Sequence, residues 1–277
     1  MRRFLIVVNV MLLFVLILAG GLLWRGLHID DSVVFMPVQR PDRDVLSIRG
    51  QEALSDVRHD RIAFGGLDIA LTTVGPSEGP LIVSCFGNAS DRYEQGADYA
   101  AKILPFGQVL LWDYPGYGDS GGKPGADALE RVVGDFVPWI EAQAGSRPIV
   151  YWGHSLGGFV CANLAARTRK VAAVVLETTA PSVGAVARTW TPSGLPLRVT
   201  YDAALSRFDI PDALAGVDAP VLILGAGRDR VLPVSLSREL ADALPRATYL
   251  ELPEATHFSA GFDPRAQAAV AALLAKP

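Results

Sequence analysis

The sequence predicts an α/β fold in which a mostly parallel sheet is flanked by helices. From residue 80 onward, short and continuously apolar runs alternate with longer segments of helical spacing. Such runs are typical of strands buried on both faces, and their alternation with helices predicts parallel crossovers. Two segments of alternating polarity on either side of Gly65-Gly66 predict an antiparallel hairpin that opens the sheet.

The predicted elements follow in chain order and place the folded domain at residues 56–277. The hairpin strands are residues 57–64 and 67–74, and the apolar runs predict strands at 80–86, 108–112, 149–152, 171–176, 221–224 and 248–252. Helical spacing predicts helices at 91–104, 127–144, 159–167 and 264–274. Pro138 could interrupt the second of these helices.

Residues 180–216 break the alternation and predict a short cap inserted between two strands. Four prolines fall in this region, together with Trp190, Tyr201 and Phe208. These aromatic side chains could line a substrate pocket or could only pack the cap onto the domain. The sequence leaves both interpretations open.

Residues 1–24 form the most apolar segment of the chain. Arg2 and Arg3 precede an almost uninterrupted apolar run that ends at Trp24. Because about 20 apolar residues span a bilayer and the run offers only a weak cleavage site, we expect a single-pass transmembrane anchor. The two arginines favour a cytoplasmic N-terminus and a domain on the non-cytoplasmic side. A cleaved signal and a secreted domain are the alternative, and residues 25–55 are interpreted as a linker and first irregular segment.

Charge and composition exclude several classes of function. The net charge of −4 gives no electrostatic basis for binding nucleic acid. The two cysteines, Cys85 and Cys161, form neither a disulfide framework nor a metal set, and the four histidines are not at zinc-binding spacing. These residues therefore predict no metal site of the usual spacings, while the oligomeric state stays open.

A glycine-rich turn at residues 153–158 is the strongest candidate for chemistry. An apolar run precedes this Gly-His-Ser-Leu-Gly-Gly stretch and a helical pattern follows it. At a sharp strand-to-helix turn the hydroxyl of Ser155 is presented, and Gly153 and Gly157 avoid a collision of side chains. The first N–H of the new helix, at Leu156, is free to donate to a developing oxyanion. A chance glycine-rich turn is the alternative, because a serine nucleophile also needs a base and an acid.

His257 is the base that elimination leaves. His28 lies beside the apolar N-terminus, His59 lies in the hairpin, and the His154 side chain should point away from its neighbour Ser155. Ligands of parallel sheets bind at the carboxyl ends of the strands, and His257 follows a late strand.

Asp229, in the loop after the strand at 221–224, is the strongest candidate for the acid that orients His257. Glu177, also at a strand end, is the runner-up. Asp113 is expected instead to hold the 114–120 loop by hydrogen bonds. The order Ser155, Asp229, His257 is the order found with a nucleophile on a strand–helix elbow.

The second oxyanion donor should come from the loop after the first parallel strand. In that loop Gly87 permits a turn, and the backbone N–H of Asn88 is the expected donor. The alternative for Asn88 is a turn residue stabilised by its own side chain.

These residues resemble the α/β-hydrolase superfamily, and within it the BEM46-like, ABHD13/ABHD17-like membrane-linked serine hydrolases, which are related to serine-aminopeptidase-type lipases. The resemblance rests on the stretches 86–89, 113–124, 153–158 and 207–209 and on Asp229 and His257. It implies an eight-stranded sheet, a Ser-Asp-His triad, no cofactor, and hydrolysis of esters or thioesters. It departs from the group at Phe86, where the group commonly has a histidine that supports the oxyanion loop.

The expected function is hydrolysis of a carboxylic ester or thioester on a small acyl or lipid-like substrate, through an acyl-enzyme. Ser155, Asp229 and His257 would form the triad, and backbone N–H groups of Leu156 and Asn88 the oxyanion hole. A serine peptidase or amidase, or a perhydrolase, would use the same triad. A non-catalytic, membrane-tethered binding protein is a further alternative, with the Phe86 substitution as its support.

Overall fold

The computed structural model describes residues 26–38, 46–191 and 198–275. Strands and helices alternate along the chain in the predicted order. The strands are β1 Leu27–Ile29, β2 Arg58–Phe64, β3 Leu67–Val74, β4 Leu81–Cys85, β5 Gln108–Trp112, β6 Ile149–His154, β7 Val171–Glu177, β8 Val199–Tyr201, β9 Val221–Ala226 and β10 Thr248–Leu252. The α-helices are α1 Asp31–Val34, α2 Arg92–Ile103, α3 Ala126–Ala144, α4 Leu156–Arg167, α5 Val183–Thr189, α6 Ile210–Leu214, α7 Val234–Ala243 and α8 Pro264–Leu274.

The central sheet has eight strands in the order β10-β9-β7-β6-β4-β5-β3-β2. Strand β3 is antiparallel to both β2 and β5, and all other neighbours are parallel. Both faces of the sheet are covered, since alternate residues of one strand belong to different apolar clusters. In β6, Tyr151 belongs to one cluster, and Val150 and Trp152 belong to the other. The predicted sheet, flanked by helices, is therefore the observed one.

Helix α3 runs through Pro138 without interruption. A proline inside a helix costs about 3 kcal/mol, because one backbone hydrogen bond is lost and the ring crowds the previous turn. Pro138 lies on the exposed side, where water can reach the freed carbonyl, while Val133, Phe136 and Ile140 are buried on the sheet. Burial of that apolar face outweighs the local cost.

The predicted cap region, 180–216, contains α5, β8, α6 and a 3-10 turn at Ala203–Arg207. Its strand β8 pairs in parallel with β1, so the segment that begins at residue 26 packs against the cap. The predicted transmembrane anchor at residues 1–24 lies outside the described residues. Within 26–38, 46–191 and 198–275, no helix is long and apolar enough to cross a membrane.

Candidate active site

Ser155 occupies the sharp turn between β6 and α4. Its φ is 53° and its ψ is −119°, a left-handed conformation that is strained for a residue with a side chain. Two hydrogen bonds hold the turn: the Ser155 N–H donates to the Glu177 carbonyl at 2.9 Å, and the Thr179 hydroxyl donates to the Ser155 carbonyl at 2.8 Å. Strain held in this way by surrounding contacts is typical of a functional position.

The two glycines of the turn are required by space. A Cβ on Gly157 would collide with the backbone carbonyl of Cys85, and a Cβ on Gly153 would collide with the carbonyl of Gly157. Helix α4 therefore starts directly against the end of β4. Gly87, which follows that strand, would place a Cβ 3.3 Å from the Cβ of Ser155. The turn and the expected oxyanion loop are thus in contact.

His257 and Asp229 are joined by a hydrogen bond in the loops after β10 and β9. The distance from His257 Nδ1 to Asp229 Oδ2 is 2.7 Å, and both side chains are almost fully buried. The other carboxylate oxygen of Asp229 accepts the N–H groups of Val231 and Leu232, each at 2.8 Å. These backbone donors fix the carboxylate, so that its free oxygen faces the imidazole.

The His257 loop is tied to the turn through His154, a residue that no sequence pattern marks for this role. His154 Nε2 lies 2.8 Å from the backbone carbonyl of His257, and its Nδ1 lies 2.7 Å from the hydroxyl oxygen of Tyr99. The Thr178 hydroxyl donates to the same His257 carbonyl at 3.2 Å. His257 is therefore held next to the residue that precedes Ser155.

The protonation state of His154 follows from its surroundings. Burial lowers the pKa of His154 to about 4, so the ring is neutral at pH 7. A carbonyl can only accept, so Nε2 carries the proton and donates to His257, while Nδ1 accepts from the Tyr99 hydroxyl. The ring contacts no solvent, with 1 % of its surface exposed. His154 and Tyr99 are the residues that sequence reasoning missed, because they are 55 positions apart.

The two expected oxyanion donors face a common space. The backbone N–H groups of Leu156 and Asn88 have no hydrogen-bond acceptor within the described part of the chain. Both residues line the same cavity as Ser155. The Asn88 side chain is a loop anchor: its amide donates to the Val34 carbonyl at 2.6 Å, and its oxygen accepts the Met36 N–H at 2.9 Å.

The side chain of Phe86 offers no hydrogen-bonding group to this loop, yet the loop remains hydrogen-bonded. The hydroxyl of Tyr114 donates to the Phe86 carbonyl at 2.7 Å, and that of Tyr117 donates to the Asn88 side-chain oxygen at 2.8 Å. The Phe86 ring is buried edge-on against Tyr99, with 4.8 Å between centroids. Tyrosine hydroxyls therefore support the loop that contains Phe86.

Glu177 has other partners than the candidate base. Its carboxylate lies 2.8 Å from the Lys102 ammonium and accepts the Trp152 indole N–H and the Gly261 backbone N–H, each at 2.8 Å. Burial opposes the charge, but the Lys102 ammonium lowers the pKa of Glu177 to about 2. This buried pair occupies the Glu177 carboxylate, and the geometry favours Asp229 as the partner of His257.

Asp113 holds the following loop, as its position predicts. One carboxylate oxygen accepts the Asp119 N–H at 3.0 Å, and the other accepts the Arg92 N–H at 2.6 Å. The buried Arg92 guanidinium also forms an ion pair with Asp119 at 2.8 Å. These contacts hold the loop in place, and Asp113 does not line the cavity of Ser155.

An apolar cavity of about 250 Å³ opens above Ser155. Residues from α1, the loop after β4, α4, the cap and the Asp229 loop form its wall. Besides Ser155, Leu156 and Asn88, the lining residues are Val33, Val34, Met36, Phe159, Val183, Val186, Trp190, Val231 and Leu232. Of the cap aromatics, Trp190 lines the cavity, while Phe208 packs on Phe35 and Phe159. In the cap, Trp190 therefore lines the cavity, and Phe208 packs the cap onto the domain.

The described residues contain no group of three or more His, Cys, Asp or Glu side chains arranged to hold a metal ion. Cys85 and Cys161 are buried and unpaired by a disulfide. The thiol of Cys161 lies 3.8 Å from the Val83 carbonyl, inside the apolar core.

Replacement of His154 by Gln should reduce the loss of stability at acidic pH. In the unfolded chain a histidine binds a proton near pH 6.5, whereas in the native protein burial lowers the pKa of His154 to about 4. The stability it contributes is complete above pH 6.5 and is lost as the pH falls towards 4. Between pH 7 and pH 5 the wild-type protein should therefore lose about 2 kcal/mol that H154Q does not lose.

Urea unfolding of the full chain at both pH values measures this difference. The amide of the introduced glutamine can still donate to the His257 carbonyl, so H154Q is expected to fold. The exposed His28, changed to Gln, is the matched histidine control. An equal loss of stability in H154Q and wild type would contradict the assignment of a neutral, buried His154.

Comparisons with known proteins agree with this architecture. Residues 81–201 match a family model described as alpha/beta hydrolase fold. An uncharacterized protein of Mycobacterium tuberculosis strain H37Rv, Rv2307c, is 31% identical over 252 residues, which cover 88% of this chain and 85% of that protein. The lysophosphatidylserine lipase ABHD12 of Danio rerio is 29% identical over 189 residues, but these cover only 60% of this chain and 47% of the lipase.

Solved structures show the same fold. The esterase Pf2001 of Pyrococcus furiosus superposes with a TM-score of 0.65 at 17% identity, over 86% of this chain and 98% of the esterase. At that identity the likeness concerns the fold alone. The strand order, the strand–helix turn at Ser155, the family model and the Mycobacterium relative together establish that the chain belongs to the α/β-hydrolase superfamily.

Proposed function

We propose that this chain is a serine hydrolase that cleaves carboxylic ester or thioester bonds. The observation that carries the proposal is the position of Ser155. Ser155 lies in a strained turn and lines an apolar cavity, and its neighbour His154 lies 2.8 Å from the backbone carbonyl of His257, whose side chain is hydrogen-bonded to Asp229. A nucleophile, a base and an orienting acid within one constellation support acyl transfer.

In the proposed reaction, the Ser155 hydroxyl oxygen attacks the substrate carbonyl and His257 takes its proton. Asp229 keeps the proton of the neutral imidazole on Nδ1, so that Nε2 is the basic nitrogen, and stabilises the imidazolium that forms. The backbone N–H groups of Leu156 and Asn88 donate to the tetrahedral oxyanion. His257 then returns the proton to the leaving alcohol or thiol, and water releases the acid by the same steps.

The cavity supports an acyl or lipid-like substrate. Its wall is apolar except near Ser155 and Asn88, so an aliphatic chain would bury against it while the carbonyl lies at the polar end. The name of ABHD12, a lysophosphatidylserine lipase, points in the same direction, although this chain spans less than half of that protein. We therefore propose a substrate with an aliphatic acyl chain.

Replacement of Ser155 by Ala should abolish turnover while the fold is retained. Loss of a triad nucleophile lowers kcat by about 10⁴- to 10⁶-fold, because only binding and the oxyanion donors remain. Hydrolysis of p-nitrophenyl esters of increasing chain length measures this loss and the chain-length preference. The exposed Ser146, changed to Ala, is the control. A fluorophosphonate probe that fails to label Ser155 in the folded wild-type protein would refute the proposal.

Asp229→Asn and Glu177→Gln should differ in what they impair. D229N can present an amide N–H to His257 Nδ1 and favour the wrong tautomer, so kcat should fall by about 10⁴-fold with little loss of stability. E177Q leaves the Lys102 ammonium buried without a counter-charge, so it should lose about 3 kcal/mol of stability but keep most of its kcat. Kinetics and urea unfolding of both variants separate the two roles. A larger loss of kcat in folded E177Q would assign the acid to Glu177.

Residues 1–24 are proposed to anchor the domain in a membrane, with the domain on the non-cytoplasmic side. The support is the sequence alone: an apolar run of bilayer-spanning length that follows Arg2 and Arg3. Membranes from cells that express the full chain should retain the protein on extraction at alkaline pH, and protease should reach the domain only from the non-cytoplasmic side. Release of an N-terminally shortened chain into the soluble fraction would instead indicate a cleaved signal.

A further inference from the structure

Most of the exposed large apolar side chains line the same cavity as Ser155. Seven such residues occur among those that the structure describes: Val33, Met36, Trp190, Tyr201, Val231, Phe258 and Phe262. Four of them, Val33, Met36, Trp190 and Val231, line the cavity above Ser155. Single exposed apolar residues are ordinary on a protein surface, but a group around one opening indicates an interaction surface.

Two further residues flank this opening without lining the cavity. Phe258 is 67% exposed, and its ring centroid lies 5.0 Å from that of His257. Tyr201 packs against the cap helix α5, because a Cβ added to Gly184 would lie 3.6 Å from its ring. Val183 and Val186 of the same helix line the cavity. The collar is defined as Val33, Met36, Trp190, Tyr201, Val231 and Phe258. Only Phe262, among the seven exposed residues described, lies apart from it, over the Lys102 ammonium.

The composition of the collar matches a lipid surface. Trp and Tyr have an apolar body and a polar tip, which suits the boundary between headgroups and acyl chains. Trp190 and Tyr201 stand on the cap at 51% and 44% exposure, and Met36 and Phe258 add apolar side chains that are also exposed. Apolar side chains that enter this boundary by about 5–10 Å are removed from contact with water, which favours binding to the bilayer.

The course of the chain also brings this surface to a membrane. The apolar N-terminal run ends at Trp24, and Val33 of the collar follows nine residues later. Nine residues span at most about 30 Å even when fully extended. Part of this interval is folded in β1 and α1, which shortens the distance further. A bilayer that holds the N-terminal run would therefore lie close to the mouth of the cavity.

We infer that the collar seats on a phospholipid bilayer, so that the cavity above Ser155 opens towards the membrane. A substrate with an aliphatic chain then passes from the bilayer into the cavity without crossing water. The seating requires no chemical step, and it holds for the folded chain whether or not Ser155 is a nucleophile.

Site-specific fluorescence quenching tests the seating. Tyr201 and Phe258 are changed singly to Cys in the full chain, labelled with bimane and reconstituted in phosphatidylcholine vesicles with or without brominated acyl chains. Neither position lines the cavity, so a lipid drawn into the cavity does not produce the signal. Ser146→Cys is the matched control, because Ser146 precedes the amino end of β6 whereas Ser155 follows its carboxyl end. The native Cys85 and Cys161 are buried, and the unmutated chain serves as the labelling blank.

Both collar labels should emit at shorter wavelength in vesicles, and brominated lipid should quench them about two-fold at an insertion depth of about 5–10 Å. The label at position 146 should show neither effect. A blue shift without quenching would mean that protein, either a second copy or the chain's own N-terminal run, covers the collar, and would overturn the inference. Labels that stay in water would overturn it as well. Turnover is not measured, so either negative result leaves the proposed hydrolase activity intact.

Discussion

The close approach of helix α4 to strand β4 at Gly157 is the contact on which the site depends. Any side chain there would meet the carbonyl at the end of β4, so the helix can start at this point only because position 157 has no Cβ. The same contact brings Ser155 next to Gly87 and the loop after β4, which carries the proposed oxyanion donor Asn88. One glycine thus determines the distance between the proposed nucleophile and the groups that would stabilise its intermediate.

Helix α2 supports the site through buried contacts at both of its ends and in its middle. Buried ion pairs fix both of its ends, Arg92 with Asp119 and Lys102 with Glu177. Such pairs are costly to bury and add little net stability, but they hold a position well once they are complete. Between them the helix carries Tyr99, whose hydroxyl donates to His154, and His154 in turn holds the His257 loop. The buried charges therefore act on the site through one tyrosine and one histidine.

The elements that the sequence predicts well are those whose signal is local. Strands such as β9 are continuous apolar runs, and helix α8 occupies the residues predicted for it because Pro264 marks its start. Asp229 and His257 are selected as candidates for the same reason, since each follows a strand, and the structure joins them by a hydrogen bond. The role of His154 and the pairing of β1 with β8 escape prediction because the partners lie 103 and 172 positions away. The spacing of residue types along a single sequence does not predict contacts between positions so far apart.

The loop after β4, which contains Phe86, is held by tyrosine hydroxyls, and this determines how it responds to alkali. The groups that hold the loop are the hydroxyls of Tyr114 and Tyr117, and burial raises the pKa of both well above that of an exposed tyrosine. Each hydroxyl must keep its proton to donate, and burial makes that proton harder to remove than the proton of an exposed tyrosine. The loop therefore keeps these two hydrogen bonds at a pH at which an exposed tyrosine already begins to lose its proton.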